Sequence, residues 1–137
     1  MIEMTLEIAE KALKAAQAKA KALGTPMTVT VVDEAGRLVL SARGDGTGFL
    51  TPDTSRAKAA AAAAFRRATK DMVELARESP AFWNAIPGLA PGQLLASTGA
   101  VPIKLNGRVI GAIGCGGGTG EQDHQAALAG AEAVGSA

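Results

Sequence analysis

Two apolar runs meet across a single Asn-Gly pair: Val101-Pro102-Ile103-Lys104-Leu105, then Asn106-Gly107, then Arg108-Val109-Ile110-Gly111-Ala112-Ile113-Gly114. A two-residue connection needs positive φ at both central positions, which Asn and Gly tolerate, and its twist suits two antiparallel strands. A hairpin is therefore expected here. Upstream, Met27-Thr28-Val29-Thr30-Val31-Val32 reads as a strand, Asp33-Glu34-Ala35-Gly36 as a tight turn and Arg37-Leu38-Val39-Leu40-Ser41 as its partner. Leu94-Leu95-Ala96-Ser97 predicts a fifth strand.

Elsewhere the period is helical. Leu6, Ala9, Leu13, Ala16, Ala20 and Leu23 recur at steps of three and four, with Thr5 as N-cap and Gly24-Thr25-Pro26 as a stop, so residues 5–23 are expected to form an amphipathic helix. Thr51-Pro52-Asp53 predicts a second helix, capped by Thr51 and running to about residue 67. Its alanine run at residues 59–64 permits close approach to a sheet. A short helix fits residues 70–77, and residues 79–92 read as a long irregular loop. There Phe82 and Trp83 either anchor the loop on the core or form a flap or subunit contact. Thr119 to Gln122 is a capping box opening a last helix to about residue 134.

The resulting order, α-β-β-α-α-β-β-β-α, predicts an α/β chain of the α+β type: a five-stranded antiparallel sheet with helices on both faces. A doubly wound parallel sheet would need strands alternating with helices throughout, so a Rossmann fold is not expected. The 137 residues suit one domain, 1–137. Aromatic residues are 3% of the chain, with one Trp and no Tyr, so the core must be built from Ala, Val, Ile and Leu in close backbone contact.

Charge and cysteine content narrow the function classes. Fourteen basic residues face 13 acidic ones, and no basic run exceeds Arg66-Arg67, so nucleic acid is not an expected partner. One cysteine makes neither an internal disulfide nor a Cys-x-x-Cys metal site, and no other metal-ligand spacing is present. The opening segment is charged and Ala-rich rather than signal-like, and no apolar run approaches the length of about 20 residues that spans a bilayer. A cytoplasmic protein without membrane contact is expected.

Three segments carry a family resemblance: Val31-Val32-Asp33-Glu34-Ala35-Gly36-Arg37-Leu38-Val39, Asn84-Ala85-Ile86-Pro87-Gly88, and Val101-Pro102-Ile103 through Gly111-Ala112-Ile113-Gly114-Cys115-Gly116-Gly117-Gly118-Thr119-Gly120-Glu121-Gln122-Asp123. Together they resemble the GlcG/HbpS-like family, which includes the C-terminal domains of PduO-type proteins. The resemblance implies a profilin-like fold, homo-oligomers and haem binding or haem degradation in some members; others sit beside glycolate or diol metabolism genes. Haem needs an axial donor, and the chain offers His124, Cys115, Met1, Met4, Met27 and Met72. The resemblance places an implicated His toward the first helix, where this chain has none. It also implies Thr98 as a hydroxyl ligand.

The bend Gly114-Cys115-Gly116-Gly117-Gly118-Thr119 before a helix is either a sharp strand-to-helix turn or an anion site, in which Gly116, Gly117, Gly118, Thr119 and Gln122 would hold a carboxylate, phosphate or propionate. Cys115 beside it is either a buried thiol or a nucleophile. Glu121, Gln122 and Asp123 serve as acid/base groups or simply suit a helix start. Arg43 and Asp45 in the loop at residues 43–48, with Lys58, form a second polar group, Arg43 to pair with a carboxylate and Lys58 to act as a charge or base, or are solvated surface. Three functions are consistent with these residues: a haem-binding or haem-handling oligomer; an enzyme or binding protein for a small carboxylated or oxygenated metabolite, using the glycine-rich bend, with Glu121, Lys58 and Cys115 as catalytic candidates; or a non-catalytic accessory scaffold.

Overall fold

The computed structural model describes residues 3–91 and 93–135. Met1, one candidate haem donor, lies outside them. Helix α1 (Leu6–Ala22) begins at Thr5, whose hydroxyl accepts the Ile8 N–H at 3.1 Å, and buries the expected stripe of Ala9, Ala12, Leu13, Ala16 and Ala20. Strand β1 (Thr28–Asp33) turns back into β2 (Leu38–Ala42). The other hairpin joins β3 (Ala100–Leu105) to β4 (Arg108–Gly116), with Asn106 and Gly107 both at positive φ, as an Asn-Gly turn requires. All pairings are antiparallel and the strand order is β2-β1-β4-β3. Pro102 lies on β3, an edge strand, where a missing N–H is tolerated.

The described residues thus hold four strands where the sequence predicts five. Residues 94–97 are not a strand; the Leu95 N–H donates to the Ala57 carbonyl at 3.2 Å, so this segment lies along a helix instead of a sheet edge. That helix is α2 (Thr51–Phe65). Thr51 is its first residue rather than its cap, because the hydroxyl is engaged by Thr28 at 2.7 Å and by the Gly48 carbonyl at 2.8 Å. Helix α3 (Thr69–Glu78) follows. The expected irregular loop is largely helical, with α4 (Pro80–Ala85) and a 3-10 turn (Ile86–Leu89). Trp83 packs against Phe65 with ring centroids 5.0 Å apart and the planes tilted by 56°, which anchors this segment to the end of α2. Helix α5 (Gly120–Val134) starts with the complete capping box of Thr119 and Gln122.

Side chains alternate across the sheet. Val29, Val31, Ile113 and Cys115 face α1 and α5, in a core completed by Ala12, Ala16, Ala126 and Ala127. Val32, Ala100 and Ala112 face Ala59, Ala62 and Ala63 of α2. Where β1 presents hydroxyls to α2, each finds a partner: Thr30 meets Ser55 at 2.7 Å and Ser41 at 2.8 Å. No helix of the described residues is long and apolar enough to cross a membrane.

Candidate functional site

The glycine bend between β4 and α5 is filled from within. Asp123 is buried, and its Oδ1 accepts the Gly118 N–H at 2.9 Å. Its other oxygen lies 3.3 Å from Lys58 Nζ, with both side chains 6% exposed. Lys58 comes from α2 on the opposite face of the sheet and reaches α5 past the start of β3. The route exists because residue 99 is Gly: a Cβ there would lie 2.6 Å from Lys58 Nζ and 2.8 Å from Asp123 Cβ, and its φ of 134° is itself a glycine conformation. Lys58 also donates to the Thr98 carbonyl at 3.4 Å, and the Cys115 N–H donates to the Gly99 carbonyl at 2.9 Å.

The structure therefore joins Lys58, Thr98, Cys115 and Gly118, four of the predicted site residues, around Asp123. Its chemistry is that of a pin. A carboxylate already occupies the position an incoming anion would take, and a buried ammonium neutralises it. The neighbouring amides are also satisfied, Thr119 N–H by Gln122 Oε1 at 3.0 Å and Gln122 N–H by Thr119 Oγ1 at 3.2 Å. Gly116 is paired within the sheet with Thr28, and Gly117 packs against the chain, where a Cβ would meet the Pro26 carbonyl at 2.8 Å.

Burial pushes the Cys115 thiol up to about 12, Asp123 adding to the rise and Lys58 opposing it. A thiol so protonated is a poor nucleophile. Native protein is expected to leave Cys115 unlabelled by a maleimide over a period in which the urea-unfolded chain reacts completely; equal rates would show the thiol to be accessible.

The remaining predicted residues lie apart. Glu121 is on the exposed side of α5, where Lys70 at 3.1 Å and then Gln125 hold its carboxyl below the usual range. Arg43 and Asp45 are exposed in a loop tethered by the Gly44 N–H to Thr28 Oγ1 at 3.2 Å, while the Lys58 ammonium is engaged by Asp123 and the Thr98 carbonyl instead.

A second feature was not predicted. A pocket of about 270 Å³ opens beside β3, between the end of α2, the start of α3 and the outer face of α5. Val101, Pro102, Leu128 and Ala131 supply apolar wall, and the charged lining is mixed, Arg66, Arg67 and Lys104 with Asp71 and Glu132. Arg66 ends α2 in the left-handed conformation, φ 55°, which turns the Arg66-Arg67 pair toward the cavity. His124 lines it. The ring Nδ1 is buried without a hydrogen-bond partner, leaving Nε2 as the nitrogen open to solvent. Burial, and next Lys70, lower its pKa from 6.5, so the imidazole is neutral at physiological pH. The one sequence signal for this pocket was the spacing of His124, Leu128, Ala131 and Glu132 on one helical face.

Among the candidate haem donors, Cys115, Met27 and Met72 are buried at 0%, 5% and 0% exposure, and Met4 packs against the core. Thr98 is half-buried against the start of α5, where a Cβ on Gly120 would meet its Cβ at 3.2 Å. Met4 also lines a cavity, a polar one of about 100 Å³ bordered by Asp33, Glu34 and Arg37, whereas His124 lines the pocket of about 270 Å³ with its apolar wall.

The chain resembles known proteins in both sequence and fold. An uncharacterized 15.0 kDa protein of the dhaT-dhaS intergenic region of Citrobacter freundii is 32% identical over 120 residues, covering 88% of this chain and 84% of its own. A double mutant of Streptomyces reticuli HbpS is 31% identical, with a TM-score of 0.87 over 99% of this chain and 90% of its own. The PduOC:heme complex shares the fold at 22% identity, with a TM-score of 0.86 over 97% of this chain and 96% of its own. Residues 4–132 match the family described as haem degrading protein HbpS-like, and the chain belongs to that family.

Proposed function

We propose that this chain is a haem-binding, haem-handling protein and that haem binds at the His124 pocket. The observation that carries the reading is a neutral imidazole with an open nitrogen, beside an apolar wall and a lining in which three cations outnumber the carboxylates of Asp71 and Glu132, in a chain of this family. His124 would supply the axial nitrogen, Val101, Pro102 and Leu128 the apolar contact, and Arg66, Arg67 and Lys104 the partners of the propionates. Bound haem supplies the redox chemistry of its iron; the residues of this chain bind and orient it. A cavity of this size takes an edge of a porphyrin, so the reading includes a homo-oligomer in which a second copy covers the remainder. Phe49, Leu50 and Leu89, exposed at 83%, 56% and 80%, are apolar surface available to such an assembly.

Haemin titrated into the purified protein is expected to give a saturable, stoichiometric shift of the Soret band, weakened at least about tenfold by His124→Ala and unchanged by Thr98→Ala. A wild-type spectrum matching free haemin overturns the haem reading, and an unaltered titration in His124→Ala overturns the ligand.

The pH dependence follows from the same ring. Its folded pKa lies below the unfolded value of 6.5, so the neutral ligand persists as pH falls to 6.5 and is lost only on further acidification. The stability contributed by the neutral ring is likewise present above 6.5 and lost as pH falls through the folded pKa. Haemin affinity at pH 6.5 should stay within about twofold of that at neutral pH; a loss centred above 6.5 contradicts the assignment.

A further inference from the structure

A second cleft of about 210 Å³, sharing no lining residue with the His124 pocket, lies between the β1–β2 turn, the exposed side of α2 and the segment that runs back along α2 before β3. Gly36, Arg56, Ala60, Ala64, Gln93 and Leu94 line it. Its floor is where the turn touches the helix: a Cβ on Gly36 would stand 3.4 Å from Ala60 Cβ, and alanine at 60 and 64 leaves the space above unfilled. Its far wall is held in place by the Leu95 N–H on the Ala57 carbonyl at 3.2 Å and the Gln93 N–H on the Ala90 carbonyl at 3.0 Å.

The charge at this cleft is unbalanced. Arg56 is half-buried and forms no salt bridge among the described residues. The one acidic side chain of the lining, Glu34, is already paired with Arg108 at 2.9 Å and 3.0 Å. A guanidinium fork beside an amide side chain suits a planar, two-oxygen acceptor, and the partial burial of Arg56 strengthens its bonds to it, while Gln93 closes the exposed side. The alanine floor adds a short apolar wall. The volume falls below the range of about 300–1,000 Å³ usual for drug-sized ligands, which sets the occupant's size.

We propose that this cleft binds a small aliphatic monocarboxylate, its carboxylate on Arg56 and Gln93 and its alkyl end over Ala60 and Ala64. The site is separate from the His124 pocket and does not depend on haem.

The test is a titration of isotopically labelled protein with sodium butyrate, followed by amide chemical shifts, with sodium chloride and inorganic phosphate at matched ionic strength. Butyrate is expected to produce saturable shifts confined to residues around 36, 56–64 and 93–95. Arg56→Gln should weaken binding about tenfold or more, since hydrogen bonds to charged groups are the strong ones. Ala64→Leu, a change at an exposed helical position, should fill the cleft and remove the saturable shifts while the rest of the spectrum stays that of the native fold. Linear shifts matching those of chloride, undiminished binding in Arg56→Gln, or saturation by phosphate but not by butyrate would each overturn the proposal.

Discussion

Replacing Lys58 with Met is expected to remove about 3–5 kcal/mol of stability and to lower the melting temperature by about 10 °C or more. The methionine keeps the bulk and flexibility of the side chain but leaves Asp123, 6% exposed, as a carboxylate without its counter-charge. Asp123→Leu removes the other partner, strands the ammonium and frees the Gly118 N–H from its acceptor. The double variant Lys58→Met/Asp123→Leu leaves neither charge and should recover more than half of the loss, the residue being the orphaned Gly118 amide. The surface pair Lys70–Glu121 provides the contrast: its side chains are 49% and 57% exposed, and Lys70→Ala should change stability by less than about 1 kcal/mol. Urea unfolding followed by circular dichroism measures all four. A Lys58→Met loss as small as that of Lys70→Ala would mean that the buried pair does not pin α2 to α5.

Much of the fold was legible because its signals are local. The Asn106-Gly107 turn needs only its own two φ angles, and the Thr119/Gln122 box needs only one helical turn. Leu94-Leu95 was misread because a short apolar run looks the same whether it pairs with a strand or lies along a helix, and the deciding bond, Leu95 to Ala57, joins distant segments. Thr51 failed as a cap for a similar reason, its hydroxyl being taken by Thr28 on the sheet.

The site divides along the same line. Lys58, Thr98, Cys115 and Gly118 were identifiable by residue type, but their meaning rests on Asp123, which meets Lys58 across a separation of 65 residues. A glycine bend before a helix invites an anion, and no spacing rule reveals that the chain supplies its own. The His124 pocket gathers side chains from α2, α3, β3 and α5, and the placing of its two arginines depends on a left-handed turn at Arg66 that residue type does not favour.

Gly114→Ala is expected to destabilise the protein by about 3 kcal/mol or more, at the upper end of overpacking effects. Residue 114 sits in mid-sheet, paired with Thr30 on one side and Ala100 on the other. A Cβ there would overlap the Ser55 carbonyl oxygen and lie 3.1 Å from Ala59 N and 3.2 Å from Ala59 Cβ. The obstacle is helix backbone, so no side-chain rotation relieves it; α2 must lift from the sheet or β4 must twist. Lifting α2 opens space beneath Ala62 and Ala63 and draws Lys58 away from Asp123. The effect should therefore overlap with that of Lys58→Met, the double variant losing less than the sum of the two. It should also reach the His124 pocket, since the end of α2 carries Arg66 and Arg67, and haemin affinity should fall although no pocket residue has changed. Gly48→Ala is the control: a Cβ there meets nothing within 4 Å, and stability should stay within about 0.5 kcal/mol. If Gly114→Ala were as mild as Gly48→Ala, α2 would not be seated directly on β4; if the losses of Gly114→Ala and Lys58→Met simply added, the seating of α2 and its buried pin would be independent supports.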